Sequence, residues 1–148
     1  MKIFKAAAAG LAAISMLINT AGVSAADTGS LPEISVSPGR SAIGKNINLI
    51  NSTEGDSYSV IETVDGVICR KISTTKQYMY FKVKHKYISE NDNNVSAFIT
   101  YLDDEEGSFV FQYNSSDKSL KNKAYKNAVV EKSGSGVWKT AQIDLNDA

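Results

Sequence analysis

The chain has 148 residues, 43% of them hydrophobic, with 16 basic and 16 acidic side chains. A formal net charge of zero argues against nucleic-acid binding, which calls for a clustered basic surface. A single cysteine, Cys69, excludes an intrachain disulfide, so the fold must rest on a buried core, which a chain of this length can build.

In chain order, residues 1–25 read as a secretory signal peptide. Lys2 and Lys5 form a positive start, and 6–18 is a nearly unbroken apolar run. That run is shorter than the ~20 residues a membrane span needs. Val23-Ser24-Ala25 offers small residues to a signal peptidase, which predicts cleavage after Ala25. The expected product is secreted, outside the cell or at its surface, with no membrane attachment. Removing Lys2 and Lys5 takes the 16 basic residues to 14 against 16 acids, a net charge of about −2.

Residues 26–45 carry both prolines, Pro32 and Pro38, and read as a leader or linker with a short strand at 34–36. From residue 46 to 148 the pattern is that of β-structure. Ile47, Leu49 and Ile50 form one apolar run, and 58–64 another. Asp65-Gly66 then predicts a hairpin turn before 67–71. Residues 77–86 alternate, with Met79, Phe81 and Val83 on one face and Tyr80, Lys82 and Lys84 on the other. Lys82, Lys84 and Lys86 read as a solvated sheet face. The lone His85 lies on this lysine-rich strand without an orienting partner in sequence, and Cys69, in an apolar run, reads as a buried thiol. After a polar loop at 89–94 come a central strand at 95–102, an acidic hairpin turn at 103–107 and a strand at 108–113. The segment around Tyr125 reads as loop-like, and a final strand carries Ala141, Ile143 and Leu145 inward. Many short strands with turn residues between them, and no helical periodicity after the amino-terminal segment, predict an all-β fold: an antiparallel β-sandwich or jelly roll.

The order of elements in the last third carries a resemblance. Tyr101 leads into an acidic turn, Gln112-Tyr113-Asn114 closes the next strand, and Gly134-Ser135-Gly136-Val137-Trp138-Lys139-Thr140 launches a strand ending in Asp147-Ala148. This resembles the galactose-binding-like β-sandwich modules, of carbohydrate-binding type, attached to secreted glycoside hydrolases. The likeness covers roughly the carboxyl-terminal half. In that family Asp147-Ala148 would be followed by a closing strand, so the resemblance implies a domain at 46–148 lacking its last strand.

The resemblance implies a non-catalytic module that holds a partner, such as a catalytic domain in a longer chain, against a polysaccharide. Sugar recognition needs aromatic platforms with polar groups around them. Tyr125, Trp138 and Tyr58 are candidate platforms and Arg70 a candidate hydrogen-bond donor. Each also has a plain reading: packing for Trp138, a surface-packed ring for Tyr125 and Tyr58, and a carboxylate pair for Arg70. Tyr101 and Tyr113 read as structural. Asp103, Asp104 and Glu105 form either a solvated turn or ligands for a structural calcium ion, which takes six to eight oxygens. No paired carboxylates in a glycosidase context and no hydrolase or phosphate-loop motif are present, so no catalytic residues are assigned. The alternatives are a structural interaction domain of a surface or matrix, or the amino-terminal part of a secreted glycoside hydrolase.

Overall fold

A computed structural model describes residues 3–8, 10–12, 16–20, 33–50, 55–72, 78–84, 95–120 and 125–147, the first three stretches through their backbone pairing alone. His85, Lys86, the 89–94 loop, the expected cleavage site at 23–25 and Ala148 lie outside the described residues.

The described residues are nearly all β-structure, and every strand pair is antiparallel. The strands are β1 (Ile3–Ala8), β2 (Gly10–Ala12), β3 (Met16–Thr20), β4 (Ile34–Val36), β5 (Ile47–Ile50), β6 (Val60–Val64), β7 (Val67–Ile72), β8 (Met79–Val83), β9 (Val95–Leu102), β10 (Glu106–Asn114), β11 (Tyr125–Ser133) and β12 (Trp138–Leu145). One sheet runs β11-β10-β1-β8-β5, a second runs β12-β9-β3-β4, and a small third runs β2-β7-β6. Among the described residues no helix is long and apolar enough to cross a membrane.

Period-two alternation explains how the two larger sheets come together. Met79, Phe81 and Val83 of β8 and Phe109, Phe111 and Tyr113 of β10 are buried. So are Val95, Ala97, Ile99 and Tyr101 of β9 and Ile143 and Leu145 of β12, all in one apolar cluster. Tyr101 of the second sheet meets Phe109 of the first edge to face, ring centroids 5.0 Å apart, so the core is sandwich-like. Each fully buried large apolar side chain contributes on the order of 1.5–3 kcal/mol. Ile34 and Val36 of β4 are also in this core, so the segment that reads as a leader supplies part of the packing.

The predicted turn at Asp65-Gly66 joins β6 to β7, with φ of 51° and 78° at its two residues, the left-handed pair that a two-residue hairpin requires. The acidic turn behaves differently from the expected hairpin. β9 pairs with β12 and β3, whereas β10 pairs with β11 and β1, so residues 103–105 carry the chain from one sheet to the other. Two alternating runs around a polar turn look the same locally whether they pair or face each other across a core. The segment after Tyr125 also departs from expectation, being a nine-residue strand rather than a loop. Its inward positions are Lys126, Ala128, Val130 and Lys132, and the lysines hide the alternation.

Candidate functional site

The outer face of the five-stranded sheet gathers the side chains that alternation turns away from the core. On edge strand β11 these are Tyr125, Asn127, Val129 and Glu131, all exposed, with Tyr125 at 45%. Register sets Tyr125 against Asn114, Asn127 against Gln112 and Val129 against Val110. Beyond β1, β8 adds Tyr80 and Lys82 to the same face, and β5 sets Ile50 against Tyr80 and Asn48 against Lys82. Asn48 Oδ1 is buried with no hydrogen-bond partner among the described residues. An orphaned acceptor of this kind costs about 1–3 kcal/mol unless something donates to it.

Tyr80 is held in place at this face. Its hydroxyl donates to Asp56 Oδ2 at 2.5 Å, and Tyr78 N donates to the Asp56 carbonyl at 2.6 Å. The Tyr78 and Tyr80 rings lie 5.9 Å apart at a tilt of 52°. Burial first, then the Asp56 carboxylate, push the Tyr80 hydroxyl well above the usual phenol range, and the Tyr78 and Tyr125 hydroxyls add to the effect. Tyr80 therefore stays a neutral donor at any physiological pH. The face combines aromatic rings with the amides of Asn48, Gln112, Asn114 and Asn127. It can stack on an apolar ring surface and exchange hydrogen bonds with neutral hydroxyls.

The remaining sequence candidates fall elsewhere. Trp138 opens β12 in register with Leu102, on the outward row of the other sheet that also holds Thr140, Gln142 and Asp144. It is half-buried, and its Nε1 is buried without a hydrogen-bond partner among the described residues. Trp138 and Tyr125 thus belong to opposite faces of the sandwich. Tyr58, half-buried, follows the 3-10 turn Gly55–Ser57 and lies two positions along the chain from Asp56. Arg70 is internal: it is 7% exposed, its Nε donates to the Pro38 carbonyl at 2.9 Å, and its Nη1 donates to Ser59 O and Oγ, each at 3.2 Å. These bonds tie the 38–40 turn and residue 59 to β7.

The three acids of the turn do not all converge on one point. Asp103 is fully buried and accepts from Ser133 N (2.8 Å) and Oγ (2.7 Å), Gly134 N (3.2 Å), Ser135 N (3.1 Å) and Oγ (2.7 Å), and Lys139 Nζ (2.5 Å). Lys139 first, then the Ser135 and Ser133 hydroxyls, hold this carboxyl far below the usual range against the effect of burial. Asp104 instead pairs with Lys132 at 2.8 Å, and Glu105 approaches the same lysine at 3.7 Å. Among the described residues no group of three or more acids, histidines or cysteines is placed to hold a metal ion.

A second carboxylate fastens the opposite end of β12. Asp147 accepts from Tyr113 Oη at 2.8 Å, Ser115 Oγ at 2.7 Å and Lys126 Nζ at 2.6 Å, and its carbonyl accepts from Ser116 N at 2.6 Å. Burial opposes ionisation there, yet the bonds from Lys126, Ser115 and Tyr113 outweigh it and bring the carboxyl down to about 2. Of the residues that carried the family resemblance, Ser135, Lys139, Tyr113 and Asp147 take part in the two clasps, whereas Gln112 and Asn114 lie on the outer face of the five-stranded sheet. Sequence reasoning missed Tyr80, Gln112, Asn114, Asn127 and Asn48 as site residues. Their signal was present as the outward half of each alternating strand, but only register across sheet neighbours groups them.

No protein-family model matches the chain, and comparisons with curated proteins and with solved structures find no match.

Proposed function

We propose that the chain is a secreted, non-catalytic carbohydrate-binding module that attaches a protein or catalytic partner to polysaccharide through the outer face of its five-stranded sheet. The observation that supports this reading is the grouping of exposed Tyr125 with Asn114, Gln112 and Asn127, beside the Tyr80–Asp56 pair. Sugar rings offer apolar C–H faces to aromatic side chains and hydroxyls to amides, and a neutral ligand suits a face rich in amides. Tyr125 is the platform in this reading, Tyr58 lies toward the rim near Asp56, and Trp138 and Arg70 take no part. A structural calcium ion would need ligands other than Asp103, which is already saturated by protein donors.

The experiment is a thermal melt of the chain with a panel of soluble plant and microbial polysaccharides, since a ligand of the folded state must raise the midpoint. One glycan class is expected to raise it. Tyr125→Ala should weaken binding of that glycan by about tenfold or more, equivalent to roughly 1.4 kcal/mol. Trp138→Ala should leave its affinity unchanged. A panel that moves nothing would favour the second reading, a structural interaction domain. That reading draws on the exposed apolar side chains Ile61, Val67 and Ile68 of the β6–β7 hairpin.

A further inference from the structure

We propose that cleavage of the amino-terminal segment turns the five-stranded sheet into a strand acceptor, whose slot between β8 and β10 takes an extended polypeptide strand from a partner protein. Two observations carry this. First, β1 is an interior strand, antiparallel to both neighbours, with Phe4 in register with Phe81 and Tyr113, and Ala6 with Met79 and Phe111. Second, β1, β2 and β3 all lie within residues 1–25, the segment whose charge, apolar run and small-residue site match a signal peptide.

Removing that segment leaves β8 and β10 two strand spacings apart, about 9.6 Å at the usual ~4.8 Å, with room for one strand between them. It unpairs the backbone of both along facing edges. It also opens the core beside Met79, Phe81 and Phe111, each 0% exposed in the full chain. An exposed pair of edges over an apolar floor favours strand addition, with main-chain hydrogen bonds supplying affinity and alternate side chains supplying specificity. The register defines the occupant. It runs antiparallel to β8 and β10, spans about the six residues of Ile3–Ala8, and has apolar residues at the positions equivalent to 4, 6 and 8. A shift by one residue would set polar positions opposite the buried row. This proposal rests on cleavage after Ala25, and in the cleaved chain the strand taken up completes the sheet whose outer face carries the proposed glycan site.

The test uses the full chain with a protease recognition sequence inserted after Ala25, compared cut and uncut. Both forms are unfolded in denaturant and diluted into an excess of a fluorescent peptide matching residues 2–10. The cut chain is expected to refold with one labelled peptide per molecule, and the uncut chain to take up at least about tenfold less. A peptide carrying Ala6→Asp should bind at least about tenfold more weakly than the parent, and one carrying Lys5→Ser should bind like it. No uptake by the cut chain would overturn the proposal, as would equal uptake by the uncut chain or by the Ala6→Asp peptide. Amino-terminal sequencing of the secreted protein tests the release itself. A start at Ala26 supports it, and a start at Met1 overturns it.

Discussion

Asp103 and Asp147 show how single carboxylates hold this fold, and both make pH predictions of the same sign. The carboxyl of Asp147 is brought from its ordinary 3.8 to about 2 in the folded chain. A folded value below the unfolded one means that the stabilisation is complete above pH ~4 and is lost as the pH falls toward ~2. Asp103 shares that sign and lies lower still, so its contribution persists further into acid. Asp147→Asn is therefore expected to lower the melting midpoint by a few degrees at pH 7. It should also flatten the decline of the midpoint between pH ~4 and ~2, read by circular dichroism. Asp103→Asn should lower the pH 7 midpoint more than Glu105→Gln does, because Asp103 is fully buried beneath six donor contacts while Glu105 is exposed. In alkali the sign reverses. Burial first, then the Asp147 carboxylate, push the Tyr113 hydroxyl up to about 12. Its contribution is intact below pH ~10 and is lost as the pH rises toward ~12. Absorbance titration should show Tyr113 and Tyr80 ionising above the usual phenol range.

At the scale of elements, two arches carry the chain between the sheets, and the Asp103 clasp joins them. Residues 103–105 lead from β9 to β10, residues 134–137 lead back from β11 to β12, and Gly136 N donates to the Asp103 carbonyl at 2.7 Å. The order acidic turn, Gly-Ser-Gly, Trp, Lys was legible in the sequence. Its meaning was not, because Ser133, Ser135 and Lys139 lie some thirty positions from the carboxylate they bind. A second inter-element contact depends on the lack of a side chain. A Cβ at Gly39 would lie 2.1 Å from the Ile68 carbonyl oxygen, a backbone atom that cannot turn aside. Gly39→Ala is expected to cost about 1–3 kcal/mol or more in urea unfolding, as overpacking does. The 38–40 turn should separate from β7, weakening the Arg70–Pro38 bond.

At the scale of the whole molecule, one core joins both sheets, so unfolding should be a single cooperative event. Phe111→Ala at the centre of that core should cost about 3–5 kcal/mol, checked by the urea midpoint with the slope unchanged. Tyr125→Ala, on the outer face, should move the midpoint little while reducing glycan binding. The pair of variants separates folding from recognition.

The sequence by itself determined the all-β class, most strand positions, the Asp65-Gly66 turn and the burial of Cys69, Tyr101 and Tyr113. These depend on local alternation and turn chemistry, which a short window contains. Only the tertiary structure decided that β9 and β10 belong to different sheets and that Arg70 is an internal brace. It also set Trp138 and Tyr125 on opposite faces, gave Asp103 the Ser133, Ser135 and Lys139 donors, and gave Asp104 and Glu105 a shared Lys132. Those outcomes follow from which strands pair and in what register, and pairing is a choice among distant segments whose local patterns are alike.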